Sequence, residues 1–130
     1  MPDAAAWLAR AERDRLNVAN NVAAAETPWD TVCFHAQQAA EKTPEALLAA
    51  HGHVPPRTHD LVALLARCVE DEPALADLEA DCRSLTVFAV SSRYPDDLFE
   101  PEEADGRAMA EAAHRVRGRV LACLPSPERS

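Results

Sequence analysis

The stretch FHAQQAAEK, Phe34 to Lys42, decides how this chain folds. At the 100° advance per residue of an α-helix, one broad apolar face runs along this stretch and its flanks. That face consists of Val32, Ala36, Ala39, Ala40 and Leu47. A narrow polar stripe along its edge consists of His35, Gln38 and Lys42. The pattern predicts a packed helix whose polar stripe is either a binding surface or an ordinary flank.

The composition of the chain also favours helices. Ala, Leu, Glu and Arg dominate its 130 residues, with only 3 Gly and 5% aromatic residues. A net charge of −9 opposes broad attraction to nucleic acid or anionic membranes. The sequence has neither a run of 18 apolar residues nor a signal pattern, so we expect a cytoplasmic protein without membrane contact. Four single cysteines are predicted to be reduced core residues, namely Cys33, Cys68, Cys82 and Cys123.

Helical periodicity divides the chain into five segments. Asp3 is predicted to cap a first helix that runs to about residue 25. Thr27 is predicted to cap a second helix, which has Pro28 in its first turn and runs to about residue 50. Pro44 interrupts this helix, because proline lacks an N–H and clashes with the preceding turn. The second helix therefore either kinks at Pro44 or is followed by a new helix capped by Thr43.

Three further helices follow the loop at residues 51–57. Thr58 is predicted to cap the third, Pro73 to open the fourth, and a run of acidic residues to open the fifth. The buried positions predicted for these helices are Leu61, Leu64, Leu65, Cys68, Leu75, Leu78, Cys82, Leu85, Ala89, Met109, Ala113, Val116, Val120, Cys123 and Leu124. The sequence thus predicts an all-α protein, an antiparallel up-and-down bundle of four to five helices. We expect residues 1–124 to form one domain and residues 125–130 to be a frayed tail.

Five segments of the chain resemble the HEPN domain family (higher eukaryotes and prokaryotes nucleotide-binding). They are WLARAERD at 7–14, CFHAQQAAEK at 33–42, PPRTHDL at 55–61, SRYPDD at 92–97 and the last helix with GRAMAEAAHRV. The resemblance implies a helical bundle that is often dimeric and often encoded beside a minimal nucleotidyltransferase. Some branches of the family are ribonucleases of toxin–antitoxin and defence systems, whereas the branch most similar to this chain has no demonstrated chemistry. The family usually continues AAEKALKALL, where this chain has AAEKTPEALL.

The polar residues of these segments suggest a ligand site. Three segments distant in sequence each offer a cation, and together they would form a basic, partly aromatic pocket for a phosphate and a stacked base. The predicted ligand-binding residues are His35, Gln38, Lys42, Arg57, His59, Asp60, Arg93 and Tyr94. The alternative interpretation is that these residues join helix ends to one another.

Arg107 and His114 match the spacing of an Arg and a His in the ribonuclease branches. On one helix they project the same way, two turns apart, where the His can transfer a proton and the Arg can brace a phosphate. Ala108 stands where those ribonucleases tend to carry a polar residue. The alternative interpretation is a pair of solvated residues on an arginine-rich helix.

Two functions from different classes remain open at this point. The first is a non-catalytic, homodimeric module that binds a nucleotide or RNA, or pairs with a nucleotidyltransferase-domain protein in a toxin–antitoxin or stress-related pair. The second is a metal-independent endoribonuclease that uses Arg107 and His114. Leu16 and Leu48 lie off the apolar stripes, so a monomer would expose both, which favours the homodimer.

No cofactor or metal site is predicted. His51 and His53 could ligate a metal, but no third ligand stands at a convincing spacing, so a solvated loop is favoured. The sequence contains no glycine-rich phosphate loop and no Ser-His-Asp order.

Overall fold

The computed structural model describes residues 3–91 and 101–124, and the side chains of 3–86 and 101–124. The helices are α1 (Ala4–Val22), α2 (Trp29–Ala50), α3 (Leu61–Asp71), α4 (Glu79–Ser91) and α5 (Glu103–Cys123), with a 3-10 helix at Pro73–Leu78. No strand occurs among the described residues. The predicted all-α bundle is therefore confirmed.

Helix α2 lies at the centre of the bundle and packs against α1, α3, α4 and α5. All five residues of its predicted apolar face are buried, which confirms that face. Leu48 is also fully buried, so the expectation that it would be exposed is wrong. The physical reason is that the second half of α2 has neighbours on several sides, and nearly every residue from Thr43 to Leu48 is excluded from solvent.

Helix α2 is continuous through Pro44, so Thr43 does not start a new helix. The Thr43 hydroxyl instead donates to the carbonyl of Ala39 at 2.9 Å, one turn earlier in the same helix. Pro44 is fully buried, and its carbonyl accepts from the Cys68 thiol at 3.6 Å. Tertiary packing around the second half of α2 outweighs the local preference of proline to end a helix.

Of the predicted helix caps Asp3, Thr27 and Thr58, only the first is confirmed. Asp3 caps α1, accepting from the backbone N–H of Ala6 at 2.9 Å, although α1 ends at Val22. The predicted Thr27 cap is wrong, because Pro28 occupies the N-cap of α2 without a side-chain bond. The predicted Thr58 cap is also wrong, since Asp60 caps α3 and accepts from two backbone N–H groups, at 3.0 and 3.2 Å. A carboxylate directly before the helix is the stronger acceptor for those donors.

The segment from Pro73 begins as a 3-10 helix and becomes the α-helix α4 only at Glu79, unlike the predicted single α-helix. The acidic start of α5 is confirmed, with a capping box between Glu102 and Asp105.

The predicted buried positions of α3, the 3-10 helix and α4 are buried as far as Leu85, while the side chain of Ala89 lies outside the described ones. In α5, Ala113, Val116 and Val120 are buried, and Met109, Cys123 and Leu124 are half-buried against the core. All four cysteines are free, and three are buried.

Candidate functional site

The polar stripe of α2 meets a buried carboxylate of α1, that of Asp14. This side chain binds Nδ1 of His35 at 2.7 Å and Nζ of Lys42 at 2.5 Å. Asp14 is only 7% exposed. Because an ionised carboxylate only accepts hydrogen bonds, Nδ1 of His35 carries the proton in this pair. Two side chains that the sequence assigned to ligand binding thus join α2 to α1.

A second carboxylate, that of Glu41, gathers further members of the predicted site. The Gln38 amide donates to the Gln37 carbonyl oxygen at 2.8 Å, and the Gln37 amide donates in turn to Glu41. Nδ1 of His59 lies 3.0 Å from one Glu41 oxygen and 3.2 Å from the other. Since Glu41 is only 3% exposed, this network fixes the segment before α3 against α2.

A cleft of about 440 Å³ opens beside this network, between α1, α2 and the loop before α3. We name it the Glu45 cleft. It is lined by Trp7, Glu41, Glu45, Val54, Pro55, Pro56, Arg57, Thr58 and His59. Its volume falls in the range of roughly 300–1,000 Å³ that is typical of small-molecule sites. Of the eight predicted ligand residues, Arg57 and His59 line this cleft.

Glu45 is the unusual group in the cleft. It is only 8% exposed, and it forms no hydrogen bond or ion pair with any described residue. Burial, and next the negative charge of Glu41, raise the pKa of Glu45 to about 7, while Lys42 and Arg10 act in the opposite direction. The carboxyl is therefore poised between its neutral and ionised forms near neutral pH.

Two more groups of the cleft have no protein partner among the described residues. The indole Nε1 of Trp7 is buried without a hydrogen-bond acceptor. The guanidinium of Arg57 is exposed and forms no ion pair within residues 3–86 and 101–124. Neither Trp7 nor Glu45 was predicted from the sequence as a site residue. Trp7 did belong to a matched segment, whereas no signal in the sequence distinguished Glu45 from a surface glutamate.

The other predicted ligand residues lie elsewhere. Asp60 is occupied as the cap of α3. Arg93 and Tyr94 lie outside the described residues. His51 and His53 pair with acidic residues at the end of α3, at 4.0 Å to Glu72 and 3.0 Å to Asp71.

Arg107 and His114 have different surroundings. The Arg107 guanidinium lies 5.3 Å from the centre of the Trp29 ring, and its Nε donates to Glu103 at 2.8 Å. His114 lines a smaller cleft of about 170 Å³ between α1, α2 and α5, together with Arg15 and Arg117. Arg107 is not part of that lining. Both arginines beside His114 bind Glu12, at 2.5 and 3.2 Å.

The part of the chain that the structure describes has the features of neither a metal site nor a membrane-spanning helix. No group of three or more His, Cys, Asp or Glu side chains there is placed to hold a metal ion. No helix within that part has the length and apolarity needed to cross a membrane.

The fold and the cleft define a helical-bundle domain with a preformed pocket at one edge of its central helix. The chain belongs to the HEPN domain family, whose model matches residues 4–123. The crystal structure of an archaeal HEPN homologue is similar to it, with a TM-score of 0.76 and 26% sequence identity over 96% of this chain and 100% of that chain. No curated protein matches the chain. Family membership supports a nucleotide-binding or ribonuclease-like module, and HEPN domains commonly dimerise.

Proposed function

We propose that this protein is a nucleotide- or nucleic-acid-binding HEPN module whose ligand enters the Glu45 cleft. One observation carries the proposal: a preformed cleft of about 440 Å³ is lined by the buried Glu45 and by Trp7, whose carboxyl and indole N–H have no partner among the described residues. Buried polar groups are nearly always hydrogen-bonded, and leaving one unpaired costs about 1–3 kcal/mol. A ligand that pairs with these groups recovers this free energy on binding.

The lining of the cleft suits a nucleotide in three ways. Trp7 offers an aromatic surface, on which a base stacks. Val54, Pro55 and Pro56 give the cleft apolar walls. Arg57 offers an exposed guanidinium, which binds phosphate through two parallel hydrogen bonds.

The proposed site differs from the pocket expected from the sequence. His35 and Lys42 are held by Asp14, and His59 is held by Glu41, so these three side chains are not available to bind phosphate without breaking an internal pair. Among the described residues that line the cleft, Arg57 is therefore the cation that can bind a phosphate. Arg93 and Tyr94 remain proposed members of the site.

Binding is tested by the melting temperature in the presence of each of the four nucleoside monophosphates. A ligand that binds only the folded state raises the melting temperature, and at a fixed ligand concentration a tighter ligand raises it more. We expect Arg57→Ala to reduce the shift, and added salt to reduce it further, because phosphate–cation attraction is screened. His114→Ala is the matched control and should leave the shift intact. Absence of a shift with any nucleotide or with single-stranded RNA would contradict the proposal.

We further propose that the protein acts as a homodimer with a nucleotidyltransferase-domain partner, in a toxin–antitoxin or stress-related pair. The family resemblance supports the pairing. Leu16 on α1 and Phe34 on α2 are 45% and 48% exposed, so each offers apolar surface to a second chain. Co-purification with a nucleotidyltransferase encoded by a neighbouring gene tests this part.

The alternative function is a metal-independent endoribonuclease. The observation in its favour is that His114 lies in a cleft with two arginines, Arg15 and Arg117. Under this alternative, the protein cleaves single-stranded RNA in EDTA, and His114→Ala abolishes the cleavage. Arg57→Ala would then have little effect on it.

A further inference from the structure

Glu45 differs from the other buried carboxylates at this edge of α2. Asp14 binds His35 and Lys42, and Glu41 binds Gln37 and His59. Glu45 is equally buried and lines the cleft, yet no described side chain bonds to it. Of these three carboxylates, Glu45 is therefore the one with which a ligand in the cleft can form hydrogen bonds.

The nearby cations do not satisfy Glu45. Lys42 and Arg10 influence it through their charge. The Lys42 ammonium, however, is bound to Asp14, and the Arg10 guanidinium lies 5.9 Å from the centre of the Trp7 ring. These cations favour the ionised form of Glu45 without occupying its oxygens, so both oxygens of this cleft-lining residue remain available as acceptors.

A carboxylate with two free oxygens best binds two parallel N–H donors. Among the nucleobases, guanine presents adjacent N–H donors, N1–H and N2–H, on its pairing edge. Adenine presents one donor beside one acceptor there, cytosine presents one donor beside two acceptors, and uracil presents one donor between two acceptors. An ionised Glu45 therefore discriminates in favour of guanine.

A guanidinium group, such as an arginine side chain of a partner protein, also presents two parallel donors. It carries no acceptor, however, so it cannot satisfy the buried N–H of Trp7. Arg57 in the cleft and the nearby Lys42 and Arg10 would also repel a cation. Guanine has ring-nitrogen and carbonyl acceptors for the indole N–H as well as donors for Glu45, so it answers both unpaired groups.

We infer that the Glu45 cleft is a guanine-selective site, in which Glu45 binds the pairing edge of the base and Arg57 binds the phosphate. This inference rests on the proposed nucleotide-binding function and names its ligand class. The charged and titratable groups around Glu45 come from three elements. Glu41 and Lys42 of α2 and Arg10 of α1 act on its charge. Arg57 and His59 of the loop line the same cleft.

Calorimetric titration with GMP, AMP, CMP and UMP tests the inference. We expect GMP to bind about tenfold or more tightly than the other three, the discrimination typical of one bidentate pair with a base. Glu45→Gln replaces one acceptor with a donor, so GMP affinity should fall about tenfold while AMP affinity should not fall. Trp7→Phe keeps an aromatic ring without the N–H and should weaken GMP binding to a smaller extent.

The pH dependence provides a second readout. Because guanine requires the ionised form of Glu45, GMP affinity should rise between pH 6 and pH 8 in the natural protein. The rise should be smaller in Glu45→Gln, where only the second ionisation of the GMP phosphate contributes. His59→Gln, which removes the other titratable side chain of the loop, should keep the rise. His114→Ala should keep both the affinity and the rise.

The outcomes separate the inference from the function on which it rests. Equal binding of all four nucleotides, or unchanged GMP affinity in Glu45→Gln, overturns guanine selection and leaves the nucleotide-binding proposal standing. Binding of N-acetylarginine amide without binding of any nucleotide overturns both, and assigns the cleft to a basic side chain of a partner protein. Absence of all binding also overturns both.

Discussion

The Nζ atom of Lys42 lies 2.5 Å from the Oδ2 atom of Asp14, across the contact between α2 and α1. Both side chains are shielded, with 23% and 10% of the side-chain surface exposed. His35 shares the same carboxylate, so one buried group fixes two side chains of the predicted ligand stripe. This part of the stripe therefore stabilises the contact between α1 and α2.

A double-mutant cycle on Asp14 and Lys42 measures this contact. Because the pair is shielded and the carboxylate is shared, we expect a coupling energy of about 1–2 kcal/mol in urea unfolding. The matched control is the exposed pair Glu79 and Arg83 on α4, where we expect about 0.3–0.5 kcal/mol. A coupling energy for Asp14 and Lys42 no larger than that of the control would contradict the structural role.

Two glycines of α5 should respond in opposite ways to alanine. A Cβ at Gly106 would overlap the Trp29 ring of α2, so Gly106→Ala should lower the melting temperature despite the better helix propensity of alanine. Gly118 has no neighbouring atom within reach of a Cβ, so Gly118→Ala should stabilise the protein by about 0.5–1 kcal/mol. Stabilisation by both changes would mean that α5 does not approach Trp29 closely.

Glu45 should make the stability of the protein depend on pH. Its pKa in the folded state is raised from 4.5 to about 7, so between these values the folded protein holds a proton that the unfolded chain releases. Stability should therefore fall as the pH rises from about 4.5 to 7, by about 3 kcal/mol for this group, and remain lower above that range.

Unfolding in urea at several pH values measures the effect. Glu45→Gln should flatten the fall in stability and make the protein more stable at pH 8 than the natural sequence. Glu111→Gln, at an exposed position of α5, is the matched control and should change neither. Equal pH profiles for all three proteins would show that Glu45 titrates normally.

The proposed homodimer is tested by light scattering at micromolar concentration. We expect twice the monomer mass of 14.1 kDa. Phe34→Ser and Leu16→Ser remove exposed apolar surface and should each shift the equilibrium toward the monomer. A monomer mass for the natural sequence would reject the dimer.

The sequence by itself determined the helices and their buried faces. Leu61, Leu64 and Leu65 follow the period of 3.6 residues, and that period is a local property of the chain. The cap at Asp3 is equally local and was predicted correctly. Thr58 is also a residue type that caps helices, yet Asp60 takes the position, because nearby side chains compete for the same backbone donors and the carboxylate directly before the helix is the stronger acceptor.

Only the tertiary structure decided which side chains meet. His35 and Lys42 are 21 and 28 residues from Asp14, and His59 is 18 residues from Glu41, so no local pattern specifies these pairs. The continuity of α2 through Pro44 and the burial of Leu48 also depend on the helices packed around them. The unpaired carboxyl of Glu45 has the same origin. Local periodicity fixes the direction in which a side chain leaves its helix, but the free energy of a buried polar group depends on the partners that distant segments bring to it.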